Sequence, residues 1–193
     1  KQVLIKRGYA VAEDVPAPQV EADKVLIRVV NSCISIGTDM LRVEATAEPL
    51  WRRAIREKDN VKKVLDMATE RGLSRTYEFI CGKIDAGTPI GYSAAGVVVG
   101  IGDSIKDVKL GERVACAGAQ CAYHAEIINV PRNLLVKIPE GLTFEEASTV
   151  TLGSIAMQGV RRARTTLGEC FVVIGLGVIG QFAVQMLKAS GCK

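Results

Sequence analysis

The chain has 193 residues, 48% of them hydrophobic and 24% charged, with a net charge of +4, a composition that supports one full domain and a piece of another around a packed core. No apolar stretch approaches the roughly 20 residues of a membrane helix, the opening Lys1 to Arg7 lacks the apolar region of a signal peptide, and the basic residues are dispersed without a nucleic-acid motif. Six cysteines, Cys33, Cys81, Cys116, Cys121, Cys170 and Cys192, show no disulfide-framework spacing and read as reduced thiols of a cytoplasmic protein.

Residues 1 to 44 read as β-rich. Val3 to Ile5 and Val25 to Val30 are short apolar runs separated by Pro16 and Pro18, the pattern of an antiparallel barrel or sandwich. From 48 to 83 the period changes. Val61, Val64, Leu65 and Ala68 recur at helical spacing, and Ser74 can cap a second helix carrying Tyr77, Cys81 and Ile84. This is a helical insertion, with outer bounds 46 to 86. Trp51 at its start either packs the insert onto the strands or touches a substrate.

The β pattern resumes at Gly91 to Gly100, where small residues precede a run of valines, and continues through a hairpin corner at Gly111-Glu-Arg-Val114. Ala125 to Val130 and Leu134 to Ile138 add further strands. At Thr143-Phe-Glu-Glu146 a capping box opens a helix that carries Ala147, Val150, Leu152, Ile155 and Ala156 toward Arg164. Arg161, Arg162 and Arg164 are the densest basic cluster, read either as a solvated helix end complementing the dipole or as a phosphate contact.

The most informative stretch comes last. Phe171 to Ile174 is an apolar strand that breaks into Gly175-Leu176-Gly177-Val178-Ile179-Gly180, and Gln181 to Ala189 follow at helical spacing. In that context the three glycines do different things. Gly175 makes the tight turn, Gly177 lets backbone approach a pyrophosphate, and Gly180 lets helix and strand pack closely. The helix N-terminus then faces the phosphates. The alternative is a merely structural strand, turn and helix. An acidic residue that would bind the adenosine ribose is expected roughly 20 residues further on, beyond Lys193, so NAD and NADP are not distinguished.

In order along the chain, Pro16-Ala-Pro18, Val25 to Val30, Gly37-Thr38-Asp39, Gly91 to Gly96, Gly111 to Val114, Thr143 to Ala147 and the final glycine motif resemble the medium-chain dehydrogenase/reductases. The wording Gly91-Tyr-Ser-Ala-Ala-Gly96 and the helical insert look most like the N-terminal half of large two-module bacterial oxidoreductases. The resemblance implies a mixed α and β fold: a chaperonin-10-like β-barrel catalytic domain over 1–142, interrupted by the insertion, then a linking helix and the first βα unit of a truncated Rossmann domain over 143–193. It also implies a small-molecule substrate, an NAD or NADP cofactor and a homo-oligomer joined through the Rossmann domain of the full chain.

Zinc-dependent members of that family place metal ligands where this chain has Ile36, Tyr92, Ser93 and the stretch from Leu152 to Ser154. A catalytic zinc needs three thiolate, imidazole or carboxylate donors, so the chain reads as zinc-free. Cys116, Cys121 and His124 offer soft ligands at short spacing, with a structural reading as the alternative. Without metal, hydride transfer relies on hydrogen-bond and proton donors. By resemblance Thr38 contacts the substrate oxygen or cofactor ribose and relays a proton; otherwise it is a turn threonine capping backbone. Tyr92 either donates to a substrate oxygen or fills the vacated metal space. Asp39, Ser93 and Ser154 are weaker candidates. The expected activity is hydride transfer to or from a carbonyl, alcohol or conjugated double bond. Its alternatives are a catalytically inactive nucleotide-binding or assembly module and a zinc-dependent alcohol dehydrogenase.

Overall fold

The structure is a computed structural model that describes residues 1–47, 66, 68–69, 72, 74–76, 82 and 85–193. Contacts divide the chain into two compact units, one built from Lys1–Val15 and Ile36–Ile90, the other from Pro16–Ser35 and Gly91–Lys193.

In the first unit, β1 (Gln2–Lys6) and β2 (Tyr9–Glu13) form an antiparallel hairpin closed by the pair Lys6 and Tyr9. The two residues between them, Arg7 and Gly8, both have positive φ, 48° and 85°, which is the turn that matches the twist of the flanking strands. Strand β2 is absent from the sequence-based reading; the Arg-Gly step between Lys6 and Tyr9 is the signal that marks it. The short β4 (Thr88–Pro89) pairs with the other edge of β1. Leu4 and Ile5 of β1 are buried.

The β-rich reading of residues 1 to 44 needs correction, because Ile36–Ala47 is a helix, α1. Its sequence runs Met40-Leu-Arg-Val-Glu-Ala-Thr-Ala47, mostly strong helix formers, and Asp39 sits in the first turn, where the dipole favours a carboxylate. Thr46 Oγ1 accepts the Gly8 N–H at 3.1 Å and ties the helix end to the hairpin turn. Of the insertion, Ala68 and Ser74 are helical; Trp51, Val61, Val64, Leu65, Tyr77, Cys81 and Ile84 lie outside the described residues.

The second unit is organised by a five-stranded antiparallel sheet in the order β7-β3-β5-β6-β8, with β3 at Lys24–Ser32, β5 at Ser93–Ile101, β6 at Arg113–Ala117, β7 at Ile127–Pro131 and β8 at Leu135–Lys137. Alternate residues point to one face and make the core: Val25 and Ile27 from β3, Val114 and Cys116 from β6, Ile128 and Val130 from β7.

Thr143 and Glu146 form the expected capping box, each satisfying the other's backbone N–H. The helix it opens is shorter than expected. α2 ends at Ala147 (Phe144–Ala147), and a second helix, α3, runs from Val150 to Arg162. The break coincides with bonds to Ser93 on β5, whose hydroxyl donates to the Ser148 carbonyl at 2.6 Å and accepts the Thr151 N–H at 3.1 Å. Both groups are thereby diverted from the ladder a continuous helix would need. Arg161 and Arg162 occupy the last turn of α3, and Arg164 follows with φ 52°.

Helix α4 (Val178–Ala189) packs against α3. The preceding segment, Phe171 to Ile174, corrects a second expectation. It belongs to no sheet and alternates in exposure, with Val172 89% and Ile174 95% exposed. A parallel strand is buried only when both faces are covered and neighbours supply its ladder; among the described residues α4 covers one face. Pairing does begin there. The Lys193 N–H donates to the Glu169 carbonyl and the Lys193 carbonyl accepts the Phe171 N–H, each at 2.8 Å, which is the slanted bonding of a parallel pair centred on Cys170 and Lys193.

Candidate active site

Three glycines shape the turn before α4, each in a different way. Gly175 has φ +94°, a left-handed conformation that any side chain would strain. At Gly177, the N-cap of α4, an added Cβ would meet nothing within 4 Å. At Gly180 an added Cβ would collide with the Gly175 carbonyl oxygen and come within 3.7 Å of Val173 Cγ1. One glycine therefore bends the chain, one leaves room outside it, and one lets the helix seat against the turn. No side chain caps α4, and the first-turn N–H groups at Val178, Ile179 and Gly180 have no partner within the helix. Leu176 is exposed, its carbonyl accepting from Gln181 Nε2 at 3.0 Å. Uncapped N–H groups at a helix N-terminus are the kind of group that can hold an anionic phosphate.

Tyr92 lies just ahead of β5 in the same unit and is 7% exposed. Its carbonyl accepts two hydrogen bonds, from the Gly118 N–H at 2.9 Å and from Thr151 Oγ1 at 3.0 Å. Gly91, before it, adopts φ +111°, and an added Cβ would lie 2.5 Å from the His124 nitrogen. Only glycine fits between this segment and the Tyr123–His124 backbone. Ser93 is fully buried, with its hydroxyl committed to Ser148 and Thr151. It is therefore not the open cleft hydroxyl that the sequence suggests. Ser154 is exposed and donates to the Val150 carbonyl at 2.8 Å within its own helix.

Thr38 belongs to the first unit, exposed in the first turn of α1 beside the buried Asp39. Ile36, the residue at the first zinc-ligand position of the family pattern, is exposed at the start of that helix.

Cys116, Cys121 and His124 each have a structural engagement. Both cysteines are packed in the sheet core. Burial, reinforced by the neighbouring Cys121, pushes the Cys116 thiol up to about 12, and burial also raises Cys121, whose sulfur donates toward the Ala117 carbonyl. Burial in apolar surroundings keeps both thiols in the neutral form. His124 Nδ1 is hydrogen-bonded to Ser32 Oγ at 2.8 Å. Among the described residues no group of three or more His, Cys, Asp or Glu converges to hold a metal.

Sequence reasoning missed the joint made by Ser93, Ser148 and Thr151. Ser148 and Thr151 stand 55 and 58 residues from Ser93, and no spacing rule connects a β-strand serine to a helix start at that distance.

No family model matches the chain. Among curated proteins it is 29% identical over 125 residues to the (R,R)-butanediol dehydrogenase of Bacillus subtilis, covering 53% of this chain and 36% of that protein. It is 26% identical over 209 residues to the sorbitol dehydrogenase of Bombyx mori, covering 93% of this chain and 50% of that protein. The chain thus spans half or less of the length of these relatives. Among solved structures, the Escherichia coli quinone oxidoreductase complexed with NADPH superimposes with a TM-score of 0.70 at 17% identity, over 100% of this chain and 50% of that one. These relatives and structural neighbours are medium-chain dehydrogenase/reductases, and the neighbours combine GroES-like and Rossmann domains. The fold is the mixed α and β class expected from the sequence.

Proposed function

We propose that this chain is the N-terminal part of an NAD(P)-dependent oxidoreductase that moves hydride to or from a carbonyl, an alcohol or a conjugated double bond without zinc. The observation that carries the reading is the glycine turn at α4, with its positive φ at Gly175, open space at Gly177 and close seat at Gly180. Those features suit a dinucleotide pyrophosphate. Gly175, Leu176, Gly177, Val178, Ile179 and Gly180 would hold it, chiefly by backbone N–H groups, and the bound nicotinamide would supply the hydride chemistry. Residues 143–193 are assigned to the nucleotide domain and 1–142 to the catalytic domain.

The donor set supports a metal-free mechanism. At the positions where zinc-dependent relatives carry ligands, Ile36 has no lone pair, the Ser93 oxygen is already engaged by two hydrogen bonds and Leu152 is an apolar core residue. Polarisation of the substrate oxygen then falls to protein hydroxyls. Tyr92 is assigned to donate a hydrogen bond to that oxygen. Thr38 is assigned to contact the substrate oxygen or the cofactor ribose and to relay the proton. The protein is assigned to the cytoplasm, where six cysteines without a disulfide-framework spacing would stay reduced, and to self-association through its nucleotide domain.

Gly177→Asp tests the reading in the full-length protein, because it puts a side chain and a negative charge where the pyrophosphate would lie. Titration of NADPH or NADH fluorescence should show affinity falling by at least about 100-fold, on the order of 3 kcal/mol. Unchanged affinity defeats the proposal. Tight cofactor binding without turnover on a panel of aldehydes, quinones and diols would instead support the nucleotide-sensing or assembly module.

A further inference from the structure

We infer that Thr151, acting with Ser93, is a positioning residue that holds Tyr92 in register with the helices carrying the glycine turn. The inference rests on the assignment of Tyr92 to the substrate oxygen made above.

The contacts form a closed circuit within the second unit. The Thr151 hydroxyl donates to the Tyr92 carbonyl at 3.0 Å, and the Thr151 N–H donates at 3.1 Å to Ser93, the next residue. Ser93 in turn donates its hydroxyl hydrogen bond to the Ser148 carbonyl at 2.6 Å. One residue at the start of α3 thus grips two consecutive residues at the start of β5, once through its side chain and once through its backbone. On the far side of Tyr92, the Gly118 N–H shares its carbonyl at 2.9 Å, and Gly91 is pressed against the Tyr123–His124 backbone. Ser93 is tied once more, its carbonyl accepting the Cys33 N–H at 3.0 Å.

What these bonds join gives them their role. α3 packs against α4, and α4 begins at the glycine turn. The position of Tyr92 relative to that turn is therefore transmitted through Thr151 and the α3 and α4 pair. The Thr151 hydroxyl adds a bond to the carbonyl of the residue assigned to the chemistry. Displacement of a reacting group by about 1 Å costs on the order of 100-fold in rate, so loss of one of two carbonyl bonds should register in turnover before it registers in cofactor binding.

The test compares Thr151→Val with Thr151→Ser in the full-length protein. Val removes the hydroxyl at nearly constant volume, and Ser keeps it. With NADPH and 1,4-benzoquinone, or NAD and 2,3-butanediol, Thr151→Val should lower kcat by about tenfold while the cofactor Kd stays within about twofold, and Thr151→Ser should recover most of the rate. Equal kcat in Thr151→Val and the parent overturns the inference, as does a Ser variant no better than Val. Crystal structures of the three proteins supply a readout independent of activity. Tyr92 should shift by about 0.5 Å or more in the Val variant alone, and an unmoved Tyr92 overturns the inference even if the parent shows no turnover. Failure of the parent to bind NADPH or NADH would instead overturn the oxidoreductase reading, and the displacement of Tyr92 would still decide this one.

Discussion

At the scale of single residues, the site is shaped by what is left out as much as by what is present. Gly180 is the sharpest case, because its missing side chain is what lets the helix meet the Gly175 carbonyl. Gly180→Ala should lower thermal stability and loosen nucleotide binding together, whereas Gly177→Ala, with nothing within 4 Å, should leave the melting temperature unchanged and act on binding alone. Differential scanning fluorimetry with and without NADPH separates the two. Ser93 illustrates the opposite economy, one hydroxyl serving two backbone groups in a fully buried position. Ser93→Ala should cost on the order of 2 kcal/mol, since it strands a buried donor and a buried acceptor, as measured by urea denaturation. Cys116 and Cys121 are packed in the sheet core. With burial pushing Cys116 up to about 12, both should resist a thiol reagent at pH 8 in the native protein and react on unfolding, while the exposed Cys170 reacts at once.

At the scale of elements, local signals were legible and distant ones were not. The strands at Val25, Val97 and Ile127 show in the sequence because short apolar runs rich in Val and Ile stand there between turn residues. The start of α2 shows because Thr143 and Glu146 stand three residues apart. The glycine turn is equally local, so its geometry was readable without the rest of the fold. The break between α2 and α3 was hidden because the bonds that coincide with it come from β5, and the helical pattern from Ala147 to Ala156 carries no trace of it. α1 was hidden because Gly37-Thr38-Asp39 has the composition of a turn, which masks the helix formers that follow. Two helix ends can be tested directly. Backbone and side-chain hydrogen bonds from Thr143 hold the Glu146 carboxyl below the usual carboxylate range. Its contribution is therefore fully present above that range and is lost as the pH falls through the lowered value. Thr143→Ala should cost about 1 kcal/mol at neutral pH, and the difference from the parent should shrink in acid, as followed by circular dichroism. Arg164, at φ 52° after α3, occupies a position that suits glycine, and Arg164→Gly should raise the melting temperature slightly.

At the scale of the whole molecule, the two units carry different parts of the proposed chemistry, Thr38 in one and Tyr92 with the glycine turn in the other. The second unit also presents a bare face, since Val172 and Ile174 are 89% and 95% exposed on a segment that belongs to no sheet. The fastening between β5 and α3 has a consequence for the environments in which the protein can work. It is made of hydroxyls and amides alone, groups that neither ionise between acid and alkali nor feel the screening of dissolved electrolyte. A carboxylate in place of Ser93 would have made that fastening answer to both, whereas here brine and mild acid should leave the strand and the helix gripping each other as firmly as before.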